Sequence, residues 1–292
     1  MLSAFSLEAH AKLNLRLEVG PLAGSLHQLL SVVAELELAD ELHFNPSPRG
    51  FQVVCEHSEL AERDNLAWQA AQALERELPH VRLVIEKNIP MQAGLGGGSA
   101  DAAGALLGLA LIFSGDGVPV SHQQLTGAAL RTGSDVPSFL TSGLRIISGV
   151  GDTVVRRVAQ TPHWGVALLQ PAIGSSTAHA YALLDEAGVP HDLGSESLAS
   201  ADEICDAYAA SDFDRFVELL HNDFTDVIER SLPAVAQARE RLKRVGARAA
   251  LLCGSGSCVA GFFETRTAAH DALAKISVEA GEWTYATGFS SD

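Results

Sequence analysis

Twelve residues constrain this chain more than any other segment: Pro90-Met91-Gln92-Ala93-Gly94-Leu95-Gly96-Gly97-Gly98-Ser99-Ala100-Asp101. The alternation before them predicts a strand over Val81 to Glu86, and the small apolar residues after them predict a helix from about Ser99 to Phe113. Glycine has no Cβ, so its backbone enters positive-φ conformations and approaches a ligand closely. Consecutive N–H groups in such a turn point inward, and the following helix adds the positive end of its dipole. The segment therefore suits an anion, above all the phosphates of a nucleotide. Ser99 is the expected N-cap and Asp101 an expected first-turn acid, with Ala100, Ala102, Ala103, Gly104 and Ala105 allowing close packing.

The common phosphate loops do not match. A P-loop requires lysine after its glycines, and none follows here. The dinucleotide fingerprint GxGxxG fails because Gly94-x-Gly96-x-x ends on Ser99. The protein-kinase DFG and HRD signatures are absent. A glycine-rich turn with no ligand is the bland alternative.

Three further segments weigh against the bland alternative. Ala11-Lys12-Leu13-Asn14-Leu15 lies near the N-terminus, Gly133-Ser134-Asp135-Val136-Pro137-Ser138-Phe139 follows the glycine segment, and Cys253-Gly254-Ser255-Gly256-Ser257-Cys258-Val259-Ala260 lies near the C-terminus. Together with Pro-Met-x-x-Gly-Leu-Gly-Gly-Gly-Ser-x-x-Ala, these resemble the ordered motifs of the GHMP kinases, the superfamily of galactokinase, homoserine kinase, mevalonate kinase and phosphomevalonate kinase. The resemblance runs from about residue 9 to residue 289. It is nearest to the branch whose substrate is a methylerythritol linked to cytidine diphosphate, in non-mevalonate isoprenoid synthesis.

The resemblance implies an α+β, two-domain GHMP kinase fold. Its N-terminal domain is of the ribosomal protein S5 domain 2-like type, and its C-terminal domain is ferredoxin-like. It also implies ATP and Mg2+ as cofactors, with Pro90 to Ala100 holding the ATP phosphates and Ser99 adding a hydroxyl. Asp135 would be the base, or an orienting group, for the substrate hydroxyl. Lys12 would keep Asp135 ionised and stabilise charge on the transferred phosphoryl. The third motif would close over the site. The family holds cytosine between two aromatics near a Gly-Tyr-His segment, which here reads Ser25-Leu26-His27, with Tyr181 as the second aromatic. Leu26 covers a base by apolar contact without ring stacking. Three alternatives stay open: a GHMP kinase for another small alcohol of homoserine or mevalonate type, a non-catalytic ligand-binding protein on the same scaffold, and, more distantly, a Rossmann oxidoreductase.

The residues themselves add independent pointers. From Glu8 to Leu15 the even positions share one strand face, so Lys12 and Asn14 point the same way as two polar groups of one site would, while Leu13, Leu15 and Leu17 face the core. Asp135 just past a helix could equally be a turn former, and Asn65 reads as a helix cap. A net charge of −16 argues against nucleic acid. It also opposes anionic substrates, so backbone amides and Lys12 would have to dominate locally. No apolar run of about 18 residues and no signal peptide is evident, which makes the cytoplasm the expected location. The four cysteines show no zinc spacing and read as free thiols.

Along the chain we expect a strand over Phe5–Leu17 and another near Glu41–Asn45. Helices are expected over Asn65–Leu78, Ser121–Thr132, Ser176–Glu186, Ala201–Ala209, Phe213–Leu220 and Thr267–Ala280, with one from Asp223 through Val245 broken at Pro233. A strand over Trp164–Gln170, a Ser-rich loop over Gly194–Asp202 and a closing strand over Trp283–Gly288 complete the reading. A polar break at Gln160-Thr161-Pro162-His163 sets the domains at 1–160, which binds ATP, and 161–292.

Overall fold

The computed structural model describes residues 3–55 and 62–290. The chain forms two compact units, each gathered from separate stretches of sequence. One comprises the described parts of Met1–Ala11, Leu38–Ile89 and Gly96–Ser142; the other comprises Lys12–Glu37, Pro90–Leu95 and the described part of Gly143–Asp292. Two long strands, β1 (Phe5–Ala23) and β2 (Leu26–Pro46), supply residues to both. The sequence pattern predicts only part of each; in β2 the stretch from Leu29 to Ala34 is apolar on nearly successive residues and loses the period-2 signal.

In the first unit, the end of β2 pairs antiparallel with β4 (Val81–Glu86), and β3 (Gln52–Cys55) runs parallel to β4. Three helices, α1 (Leu66–Ala73), α2 (Gly97–Gly115) and α3 (His122–Thr132), share one core with these strands. Asn65 caps α1 by accepting from the Ala67 N–H at 2.8 Å, and Ser121 with Gln124 forms a capping box on α3.

Helix α2 departs from expectation at its start. Its cap position is Gly96 in the left-handed conformation (φ 75°), so Ser99 lies inside the first turn and does not cap. Asp101 consequently falls one turn further in, where it is buried. By length and mean hydropathy this 19-residue helix could cross a membrane, which corrects the expectation that no segment could. Ten of its residues, however, including Ala102, Ala105, Leu106 and Leu109, are buried in the unit's own core. The small residues are required there: a Cβ on Gly108 would overlap the edge of the Phe44 ring, and one on Gly104 would lie 2.7 Å from Leu42.

In the second unit, β5 (Leu144–Ser148) pairs antiparallel with the start of β2, and β6 (Thr153–Val158) pairs with β5. A separate four-stranded sheet has the order β11-β7-β10-β9, built from β7 (Gly165–Gln170), β9 (Ala249–Leu252), β10 (Val259–Phe263) and β11 (Trp283–Gly288), all antiparallel. Helices α8 (Pro233–Arg244) and α9 (Arg266–Leu273) pack on it, giving β-α-β-β-α-β, the ferredoxin-like motif. Before them come α4 (Thr177–Ala187), α5 (Ser195–Ala209), α6 (Phe213–Leu219) and α7 (Phe224–Ser231). A two-residue strand, β8 (His221–Asn222), runs parallel to β1.

Pro233 breaks the long helical pattern, as its missing N–H requires. The expected Ser-rich loop is instead the start of α5: burial of Ser197, Ala201 and Ile204 outweighs the weak helix propensity of serine. Helix α9 ends at Leu273, seven residues short of expectation. The all-α+β character with two mixed units matches the expected class.

Replacing Gly108 with alanine sets helix propensity (about 1 kcal/mol in alanine's favour) against overpacking (about 1–3 kcal/mol). With Phe44 and its neighbours fully buried, overpacking wins. Gly108→Ala is expected to lower the denaturant midpoint; an increase would contradict this packing.

Candidate functional site

Three glycine-bearing or polar segments converge within the second unit. The first is the glycine-rich stretch Pro90–Leu95, whose turn is set by positive φ at Gln92 and Gly94 (54° and 78°). The second is the third motif, with positive φ at Gly254 and Gly256. They lock together through main-chain bonds: the Ser257 N–H donates to the Gln92 carbonyl and the Cys258 N–H to the Ala93 carbonyl, both at 3.2 Å. A Cβ on Gly94 would overlap the Cys253 carbonyl, lying 2.8 Å from its carbon and 3.0 Å from the Gly256 nitrogen. No side chain fits at Gly94, so the two loops meet backbone to backbone.

The third segment is β1. Lys12 and Asn14 share a face, and the Lys12 Nζ donates to Asn14 Oδ1 at 2.5 Å. Both are buried, at 8 % and 6 % exposure. Asn14 Nδ2 donates to Ser31 Oγ at 2.8 Å, and Ser31 Oγ donates to the Arg16 carbonyl at 2.8 Å, which fixes the amide so that its oxygen faces the ammonium. The Lys12 main-chain N–H donates to the Leu95 carbonyl at 2.9 Å. A Cβ on Gly254 would lie 2.9 Å from Lys12 Nζ, 3.0 Å from the Gly94 carbonyl and 3.2 Å from Asn14 Oδ1. One ammonium, one oriented amide and the glycines of two turns therefore meet at one point, a cation set against backbone with no room for added side chains. Such a site can bind an anion and stabilise charge developing on it.

Asn222, which sequence reasoning did not single out, pins this arrangement. Its Nδ2 donates to the carbonyls of Leu252 and Gly254, each at 2.8 Å, and its Oδ1 accepts from Phe224 N–H at 3.0 Å. Only the Asn-Asp pair ahead of a helix hinted at it. On the edge of the loop, Gln170 Nε2 donates to the Met91 carbonyl at 3.0 Å.

The other expected residues divide between the units. Leu26, His27 and Tyr181 belong to the second. His27 stacks on Tyr181, with centroids 5.2 Å apart and planes at 13°, and Phe224 meets Tyr181 edge-on at 5.0 Å. His27 Nδ1 faces the Gly20 carbonyl at 2.8 Å and its Nε2 faces Asp185 at 3.2 Å. Leu26 is half exposed. Asp135 belongs to the first unit and heads a 3₁₀ turn, Val136–Leu140. Its carboxylate is exposed and makes no capping bond; the turn is held by its carbonyl, which accepts from Ser138 N–H and Oγ.

Gly96–Ala100 also belong to the first unit. The first helical bond of α2 runs from Ala100 N–H to the Gly96 carbonyl at 2.9 Å. The N–H groups of Gly97, Gly98 and Ser99 thus have no acceptor within the helix, as at any helix start. Behind them sits a buried charge cluster. Lys87 donates to Asp40 and, at 2.7 Å, to Asp101 Oδ2. Asp40 Oδ1 accepts the N–H groups of Asn88 (2.6 Å) and Ile89 (2.8 Å). Burial pushes the Asp101 carboxyl up to about 7, with Lys87 pulling down and Asp40 adding to the rise. Burial would lower the Lys87 ammonium, but Asp101 and Asp40 outweigh it and raise it.

Comparison with known proteins bears on these residues. Residues 65–143 match the family model for the GHMP kinases N terminal domain, and residues 202–281 match the GHMP kinases C terminal model. A protein of Citrifermentans bemidjiense named 4-diphosphocytidyl-2-C-methyl-D-erythritol kinase is 34 % identical, over 94 % of this chain and 95 % of its own. A Treponema pallidum protein of the same name is 35 % identical, over 94 % and 96 %. The crystal structure of a 4-(cytidine 5'-diphospho)-2C-methyl-D-erythritol kinase superposes with a TM-score of 0.78 at 28 % identity, covering 97 % of this chain and 99 % of that one. Homoserine kinase from Cytophaga hutchinsonii shares the fold, with a TM-score of 0.71 at 14 % identity and coverage of 99 % and 96 %.

The position of Asp101 makes stability pH-dependent. Its folded-state value lies above the unfolded 3.8, so between 3.8 and about 7 the folded chain holds a proton that the unfolded chain releases. Stability from this residue is present at low pH and lost as pH rises through about 7. Against Asp101→Asn, the wild-type denaturant midpoint is expected to fall progressively across that window; parallel curves would contradict the assignment.

Proposed function

The chain belongs to the GHMP kinase family, and from that premise we infer that it transfers the γ-phosphoryl group of ATP to the 2-hydroxyl of 4-diphosphocytidyl-2-C-methyl-D-erythritol. The product feeds isoprenoid precursor synthesis by the route that does not use mevalonate. One observation carries the reading: a buried lysine with an oriented asparagine lies against two turns that exclude side chains, in a chain about one-third identical to kinases of that name.

Phosphoryl transfer asks for alignment and charge stabilisation more than for covalent chemistry. The amides of residues 94–99 hold the ATP phosphates, and the N-terminus of α2 supplies its dipole. ATP is used as its magnesium complex, in which the cation screens phosphate charge. Lys12 stabilises the transferred phosphoryl, and Asn14 keeps its ammonium in place. Asp135 accepts the proton of the acceptor hydroxyl or orients that hydroxyl; its exposed carboxylate, unused by its own turn, supports the assignment. Leu26, His27 and Tyr181 bind the cytidine part. The ATP-binding portion is assigned to residues 1–160 and the remainder to 161–292, a division supported by the separate spans of the two family models. The burial of α2 in a core supports a cytoplasmic enzyme.

Leu26, where the family carries tyrosine, gives a second reading some ground: a GHMP kinase for another small alcohol. Incubating the protein with Mg-ATP and a panel of the cytidine-linked methylerythritol, homoserine and mevalonate separates the two by which compound gains phosphate. Lys12→Ala and Asp135→Asn are each expected to lower kcat about 10²-fold or more, with folding checked by circular dichroism. Near wild-type turnover in either variant would refute its role. Leu26→Tyr restores a stacking contribution of about 0.5–1.5 kcal/mol and is expected to lower KM for the cytidine substrate, with KM for ATP unchanged; an unaltered cytidine KM would remove Leu26 from the base site.

A further inference from the structure

We propose that Asp40, Lys87 and Asp101 are positioning residues for nucleotide binding: a buried clamp that fixes where the glycine-rich loop leaves β4 and where it enters α2. The proposal rests on the phosphate-binding role assigned above to that loop.

The geometry brackets the loop on both sides. Before it, Asp40 Oδ1 receives the N–H groups of Asn88 and Ile89, the last two residues ahead of Pro90. Asp40 Oδ2 receives the Lys87 ammonium. After it, the same ammonium reaches Asp101 Oδ2 in the second turn of α2, at 2.7 Å. One lysine thereby ties the end of β4 to the start of the helix, spanning the glycines between them. The clamp also bears on the helix's first residue: a Cβ on Gly97 would lie 3.2 Å from Lys87 Nζ and 2.9 Å from Ile89 Cγ2. Gly97 therefore sits directly against the clamp.

Stability is a poor explanation for this cluster. Asp40 is fully buried, Asp101 is 3 % exposed, and the two carboxylates share one ammonium. Asp101 Oδ1 is buried with no hydrogen-bond partner. Burying charge costs several kcal/mol per ion, and well-packed apolar replacements are often as stable or more so. What apolar residues do not supply is direction: Asp40 aims two specific backbone amides, and Lys87 sets one distance between strand and helix. Such supporting groups govern how well a binding site is preorganised.

The test uses the full chain and a non-hydrolysable ATP analogue with Mg2+, measured by calorimetry, together with steady-state kinetics. Lys87→Met alone leaves two buried carboxylates without their cation; Lys87→Met combined with Asp101→Leu leaves one, Asp40, which still accepts the Asn88 and Ile89 N–H groups, and its folding is checked by circular dichroism. The double variant is expected to bind the analogue about tenfold more weakly, the equivalent of about 1.4 kcal/mol, with the acceptor-substrate KM and the kcat at saturating ATP within about twofold of wild type. Asp101→Asn keeps an acceptor for Lys87 and is expected to bind near the wild-type level. Wild-type analogue affinity in the double variant would overturn the proposal. So would equal losses in both substrates' KM values and kcat, which mark a general structural role. If analogue binding follows the expected pattern while the cytidine-linked alcohol is never phosphorylated, the clamp stands and the assigned substrate falls.

Discussion

The structure of the site depends on a backbone-to-backbone contact between Gly94 and the Cys253–Gly256 turn. Neither side has room for a Cβ at the point of closest approach. The main-chain bonds from Ser257 and Cys258 to Gln92 and Ala93 hold the two turns together, and Asn222 holds the far turn by two of its carbonyls. Lys12 lies at the same turn: its ammonium donates to Asn14 Oδ1, and a Cβ on Gly254 would crowd both. Glycine is needed at Gly94 and Gly254 for two reasons at once: φ is positive, and the space is already filled.

Charge presents a second constraint. The chain carries a net −16, yet its assigned ligands are anions. Long-range attraction is therefore absent, and binding must come from short-range groups in places where solvent is excluded. The assigned site agrees with that: the lysine is nearly buried and donates to the Asn14 amide oxygen. The Lys12 ammonium donates to an amide oxygen, whereas Lys87 is held by two carboxylates.

Much of this was legible in the sequence, for identifiable reasons. The glycine segment, β4, helix α3 and the break at Pro233 all depend on local chemistry that a short window contains. The pairing of Lys12 with Asn14 followed from strand alternation alone. What was not legible depends on distant partners. Strand β5 hides Arg145 in a buried stretch, neutralised by Glu35 at 3.2 Å, so its pattern reads as broken when it is not. Helix α5 begins in serines whose burial is decided by the rest of the unit. The clamp joins positions 40, 87 and 101, and Asn222 acts on carbonyls 30 and 32 residues away; neither leaves a periodic trace. The cap of α2 lies three residues ahead of Ser99, because Gly96 in the left-handed conformation takes the cap position in its place.

The central claim is that main-chain amides of residues 94–99 receive the phosphates of ATP. Amide hydrogen exchange measured with and without a Mg2+-loaded ATP analogue tests it directly. The account predicts that nucleotide slows exchange at Gly96, Gly97, Gly98 and Ser99 more than anywhere else in the chain. Nucleotide binding that leaves those amides unprotected, with protection appearing elsewhere, would contradict it.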